Sequence, residues 1–131
     1  MRSLLRLAKP RRYQSVVEHE SAVCPGVVFT IRRMSFGRRL ELAERIRGLG
    51  SSLEFRAAGS ELQDRVEASV IANRMDRVYL EWGLVDVRGL AIDGAPATPE
   101  SLIAAGPEEL TREALARIKA ECGLSAEERK N

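Results

Sequence analysis

One histidine, one tryptophan and two cysteines stand in this chain of 131 residues, and those scarcities bound its chemistry. The histidine, His19, sits between Glu18 and Glu20 in "EHE". In a strand its ring points to one face and both carboxylates to the other, so the three cannot converge on one metal ion. A serine nucleophile with a histidine base would have to use that same ring. No G-x-S-x-G elbow, G-x-x-x-x-G-K-[ST] loop or G-x-G-x-x-G fingerprint occurs. Paired carboxylates such as Glu108-Glu109 and Glu127-Glu128 stand at helix starts, where the helix dipole accounts for them. The residues therefore give no catalytic, cofactor-binding or metal-binding site, and an enzyme is not expected.

Cys24 and Cys122 lie near opposite ends of the chain without a Cys or His neighbour at metal-ligand spacing. They read as two reduced, partly buried thiols. No apolar run approaches the roughly 20 residues of a membrane span. The opening "MRSLLRLAKPRRYQ" begins like a signal peptide, but Arg6 and Lys9 break its apolar stretch. A cytoplasmic protein is expected.

The remaining composition is that of one soluble domain, 44% hydrophobic and 31% charged. The net charge of +2 hides a polarity along the chain. Residues 1–50 hold 11 Arg and Lys against 4 Asp and Glu, and residues 51–131 hold 10 against 15. Residues 1–14 carry five positive charges and no negative one, which reads as a basic arm ahead of a domain over 15–131.

Along that domain, Val27, Phe29 and Ile31 alternate with Val28, Thr30 and Arg32 after a Pro25-Gly26 turn, a strand signature. "SVVEHE" is its candidate antiparallel partner. Ser35 can cap a helix in which Phe36, Leu40, Ala43 and Ile46 recur, with Leu42, Leu49 and Leu53 widening the stripe. Phe36, like Phe29, reads as core. Gly48–Ser52 weakens this helix, and Gly59-Ser60 breaks it. Ser60 with Gln63 forms a capping box for a long helix over about 61–82. Its apolar residues Leu62, Val66, Val70, Ile71, Met75, Val78, Tyr79 and Trp82 are read as one side, and Gly83 as a left-handed stop.

"LVDVRGLAIDGAPA" alternates around an Asp93-Gly94 turn, as two very short strands or an ordered loop. Thr98-Pro99 and Pro107 each open a helix. The second of these buries Leu110, Ala114, Leu115, Ile118 and Cys122 and stops at Gly123. Ser125 and Glu128 would cap a final fragment. The fold class is α+β, mainly helical: a small N-terminal hairpin or sheet, four to five helices, and a short hairpin loop near 84–97.

Arg-Arg pairs at 11–12, 32–33 and 38–39 could gather into a basic patch. A solvated or partner-facing surface is the favoured reading over nucleic acid, which would call for aromatic or amide readers among them. Trp82 has two readings, core packing at a helix end or an anchor in a protein interface.

"FTIRRMSFGRRLEL", "VYLEWGLVDVRGLAIDGAPATPESL" and "GPEELTREALARIKAECGLSAEERKN" together resemble the tail assembly chaperones of long-tailed phages and prophages. The matching positions are Arg33, Met34, Ser35, Phe36, Gly37 and Arg39, then Trp82, Gly94, Pro96, Thr98, Pro99 and Glu100, then Leu124 to Asn131. The likeness covers roughly residues 27–131, and the arm has no counterpart. It implies a non-enzymatic protein of the host cytoplasm, without cofactor. Such a protein binds the long helical tape measure protein while tail tube subunits polymerise around it, and homo-oligomers are compatible with that role.

On that resemblance, the apolar stripe of 36–53 and the rim of 61–82 become the candidate client surface, with Phe36, Leu40, Leu53, Tyr79 and Trp82 as its residues. The basic first half and acidic second half could pack protomers head to tail along a client. The family often makes a second, frameshifted product, and Lys130-Asn131 is compatible with a slippery A-AAA-AAC at that point. The alternatives are a structural tail or connector protein of the virion and a small nucleic-acid-binding regulator.

Overall fold

The structure is a computed structural model that describes residues 9–59 and 61–123, without the side chains of Leu53, Glu54 and Arg56. The expected basic arm falls partly outside it, as do Ser60 of the expected capping box and the final Ser125–Glu128 cap. The described part of the arm, residues 9–14, is exposed and forms no helix or strand. The described residues fold as α+β, mainly helical, with four helices.

Strands β1 (Val16–Glu20), β2 (Val28–Arg32) and β3 (Leu84–Arg88) form an antiparallel sheet in the order β1-β2-β3. Alternation in β2 sends Phe29 and Ile31 to the buried face, where Val17 and His19 stand opposite them on β1. Glu18 and Glu20 take the other face, and Glu18 reaches across to Arg88 at 2.7 Å. The third strand was not expected as part of this sheet. A bulge explains why: pairing shifts between Thr30 and Ile31, so Leu84 and Val87 both face inward although three residues apart.

The expected hairpin loop is a separate two-stranded ribbon, β4 (Ala91–Ile92) with β5 (Ala95–Pro96). Its turn residues Asp93 and Gly94 have φ of 51° and 81°, the left-handed pair that matches strand twist in a two-residue hairpin.

Helices α1 (Phe36–Ala57) and α2 (Leu62–Gly83) have 22 residues each, so each is about 33 Å long. The Ser35 hydroxyl accepts from the Arg38 N–H at 3.2 Å and caps α1. A four-residue link joins the two helices, and Leu42, Ala43 and Ile46 near the start of α1 share a cleft with Tyr79 near the end of α2. They therefore form an antiparallel helical hairpin. Helix α1 continues through Gly48 and Gly50, so the weak stretch does not end it.

Gly83 is the last residue of α2, and its φ is not positive. The left-handed stop expected there is replaced by a packing reason: a Cβ at Gly83 would stand 2.6 Å from the Ile118 side chain. Helices α3 (Pro99–Ala105) and α4 (Glu108–Glu121) complete the fold. Thr98 caps α3 reciprocally with Ser101, whose backbone N–H donates to Thr98 Oγ1 at 3.1 Å.

The core gathers at one end of the hairpin. Val27, Phe29 and Ile31 of the sheet region meet Tyr79, Leu80 and Trp82 of α2, Leu102 of α3, and Leu110, Ala114, Leu115 and Ile118 of α4. Helix α1 gives Leu42 to this cluster. Between residues 43 and 78, Ile71 alone is buried among the described side chains, so the far half of the hairpin extends beyond the core.

Candidate protein-interaction surface

Helical periodicity splits α1 into two faces. Leu42, Ile46 and Leu49 recur every three or four residues and turn inward, buried or half-buried. Phe36 and Leu40, one turn apart, lie on the opposite side and are 92% and 57% exposed. The core position expected for Phe36 is therefore corrected: it lies on the side of α1 away from Leu42, Ile46 and Leu49, and among the described residues nothing buries it. Phe55 is also exposed, farther along α1. Leu53 belongs to α1 by its backbone, and its side chain lies outside the described residues.

Helix α2 likewise carries two apolar files rather than the single side read from the sequence. Ile71, Tyr79 and Trp82 are buried, whereas Leu62, Val66 and Val70 are exposed. Nine residues separate Leu62 from Ile71, about 900° at 100° per residue, which is half a turn out of phase. That phase difference was present in the sequence. A stripe that takes in every apolar residue of α2 spans both faces.

Tyr79 and Trp82 sit in the core and not on the exposed surface. The Trp82 carbonyl accepts from Arg32 Nε at 3.0 Å, tying α2 to the end of β2. Tyr79 packs beneath Lys119, whose Nζ is 5.6 Å from the ring centroid. Of the five candidate residues, the structure leaves Phe36 and Leu40 together on one accessible face.

The arginine pairs do not merge into one uncommitted basic patch. Arg32 is held against Trp82, and burial, with Arg38 adding to it, lowers its pKa from the ordinary value. Arg33 lies over the Tyr13 ring at 5.8 Å. Arg38 bridges Glu41 at 3.2 Å, and Arg45 joins the same carboxylate at 3.7 Å. Residues 11 and 12 remain exposed.

An open cleft of about 450 Å³ lies where α2 meets α3 and α4, with Leu80, Ile103, Ala104 and Leu115 in its lining. Asp76 at its rim holds Lys119 at 2.8 Å and Arg112 at 3.6 Å. The lining mixes charge and apolar surface and has no aligned nucleophile and base. No group of three or more metal-ligand side chains occurs among the described residues. Both thiols are free, Cys24 exposed and Cys122 buried. None of the described helices is long and apolar enough to cross a membrane.

The best-formed polar contact serves the fold. Glu113 of α4 accepts from Ser21 Oγ at 2.5 Å and from the Ala22 N–H at 2.7 Å, clamping the turn between β1 and β2. Burial pushes the Glu113 carboxyl up, but these hydrogen bonds, with Val23 N–H and Arg117, outweigh it and hold it below its ordinary value. No protein-family model, curated protein or solved structure matches this chain.

Proposed function

We propose that this protein is a tail assembly chaperone of a long-tailed phage or prophage, acting by binding and not by covalent chemistry. The observation that carries the reading is the exposed apolar outer side of the first turns of α1, Phe36 and Leu40 foremost. The resemblance of residues 27–131 to that family supports it. In this reading the client is the tape measure protein, a long chain of amphipathic helices. An apolar helix face that a chaperone can cover would otherwise aggregate before tail tube subunits enclose it. Phe36 and Leu40 offer such a helix about 1.5–3 kcal/mol each on full burial. Arg38, Glu41 and Arg45 beside them orient the approach. The site of action is the host cytoplasm, and no cofactor takes part.

The test is co-expression with the tape measure protein encoded by the same tail gene cluster. The expected result is a soluble complex that co-elutes in gel filtration. Phe36→Asp with Leu40→Asp should return the tape measure protein to the insoluble fraction while the variant stays folded by circular dichroism. Absence of binding at both low and moderate salt overturns the reading. Recovery of the protein from purified virions would favour a structural tail component instead.

A further inference from the structure

We infer that the outer face of α2 is a self-pairing surface, on which two copies of this chain join antiparallel with Leu62 of each seated in the cleft of the other. Leu62, Val66 and Val70 are 74%, 54% and 40% exposed, a graded strip running from the hairpin tip toward the base. The same helical file continues through Asn73 and Arg77, seven residues after Val66 and Val70, to Leu80, seven after Asn73, and these line the cleft with Ile103, Ala104 and Leu115. Strip and cleft thus form one track about 27 Å long, apolar at the tip and floored by Leu80 at the base. The face lies opposite Ile71, which is buried, so α1 does not cover it.

Charge selects the occupant. On the helical wheel Arg65 and Asp76 share one flank of the strip, and Glu67 and Arg74 share the other. In a two-fold antiparallel pair each flank meets its own copy. Arg65 and Asp76 are equidistant from the Val70–Ile71 peptide bond, and so are Glu67 and Arg74. One register centred there therefore sets Arg65 against the partner's Asp76 and Glu67 against the partner's Arg74, four pairs by symmetry. The same centre sets Leu62 level with Tyr79, beside Leu80 at the cleft. Asp76, whose side chain is 23% exposed, already holds Lys119 and Arg112, but Arg112 is shared with Glu108, so two carboxylates balance those two cations before Arg65 joins them. Arg77 lies in the track, but Glu81 holds its Nε at 2.7 Å and leaves its aliphatic stem to face the partner's Val66. A parallel pair is blocked, because α3 and α4 pack over the base of α2 and would occupy the same level in both copies.

This pairing goes beyond the chaperone reading and does not depend on it, since it uses α2 and leaves Phe36 and Leu40 of α1 open. Sedimentation equilibrium of the full chain should show a monomer–dimer equilibrium that weakens with salt. Its affinity should be micromolar, as one helix pair of this length implies. Val66→Asp should make the chain monomeric with unchanged circular dichroism. Glu67→Arg should weaken the dimer about tenfold, since symmetry reverses two ion pairs at once. Glu67→Arg with Arg74→Glu should restore it to within about threefold of the native value, because the swap rebuilds the same register. A chain that stays monomeric up to about 0.5 mM at low salt overturns the inference. So does a dimer that Val66→Asp leaves intact, or a charge swap that fails to restore association. Loss of tape measure binding by Val66→Asp in a monomeric native chain would assign the strip to the client and equally overturn it.

Discussion

Cys122 is one of two thiols with opposite surroundings, and the pair shows how far a single residue's chemistry is set by packing. Burial pushes the Cys122 thiol up from its ordinary 9.0 to about 11, with Arg39 opposing and Glu121 adding to the shift. Burial, with Cys122 and Asp76 nearby, also raises the Tyr79 hydroxyl from its ordinary 10.0. Between pH 9 and about 11 the unfolded chain has released the Cys122 proton while the folded chain retains it. The unfolded state then binds fewer protons, so stability is full below pH 9 and falls as pH rises through this window. The loss should be on the order of 1 kcal/mol in urea titrations at pH 8 and pH 10.5. Cys122→Ala should make that slope shallower, and Tyr79 should keep part of it. At pH 8 a thiol reagent should label Cys24 fast and Cys122 only as the protein unfolds.

At the scale of elements, the sequence carried the types better than the partnerships. β2 was legible because β-branched residues alternate, and the starts of α1 and α3 because Ser35 and Thr98 make their expected caps. The place of the third strand beside β2 was not, because a bulge shifts the register between them and breaks the strict alternation of "LVDVR". The two faces of α2 were mixed because periodicity reports where apolar residues lie on a helix and not which of them find a neighbour. The candidate surface was therefore only partly legible: Leu40 and Phe36 lie outside, although Phe36 also reads as core, while Tyr79 and Trp82 are claimed by the core. Gly48 and Gly50 carry a related lesson. A helix interior tolerates them, and an added Cβ at either would meet no atom within 4 Å. They are thus propensity defects without a packing reason. Gly48→Ala should stabilise the protein by about 0.5–1 kcal/mol, and Gly50→Ala by a similar amount. Thermal unfolding of both variants checks this, and a lowered midpoint would mean that some partner surface closes on that side of α1.

For the whole molecule the consequence is an uneven distribution of stability. Sheet, α3, α4 and the last two turns of α2 share one core, and Glu113 clamps the β1–β2 turn to α4. The far half of the hairpin rests on α1–α2 contact, with Ile71 the buried side chain it contributes among the described residues. Opening free energy follows buried contact, so that half should open without the rest. Amide hydrogen exchange at low protein concentration should show residues 47–70 exchanging well before residues 79–87 and 110–118, which should approach the global unfolding limit. On the proposed self-pairing, a far half that opens locally lets α1 and α2 adjust their spacing to a second copy without disturbing the core. Raising the protein concentration should slow exchange over residues 62–70 more than over 40–50 if α2 is the self-pairing face. Uniform protection along both helices would instead mean that the hairpin and the base unfold as one unit, and that no independently opening half exists.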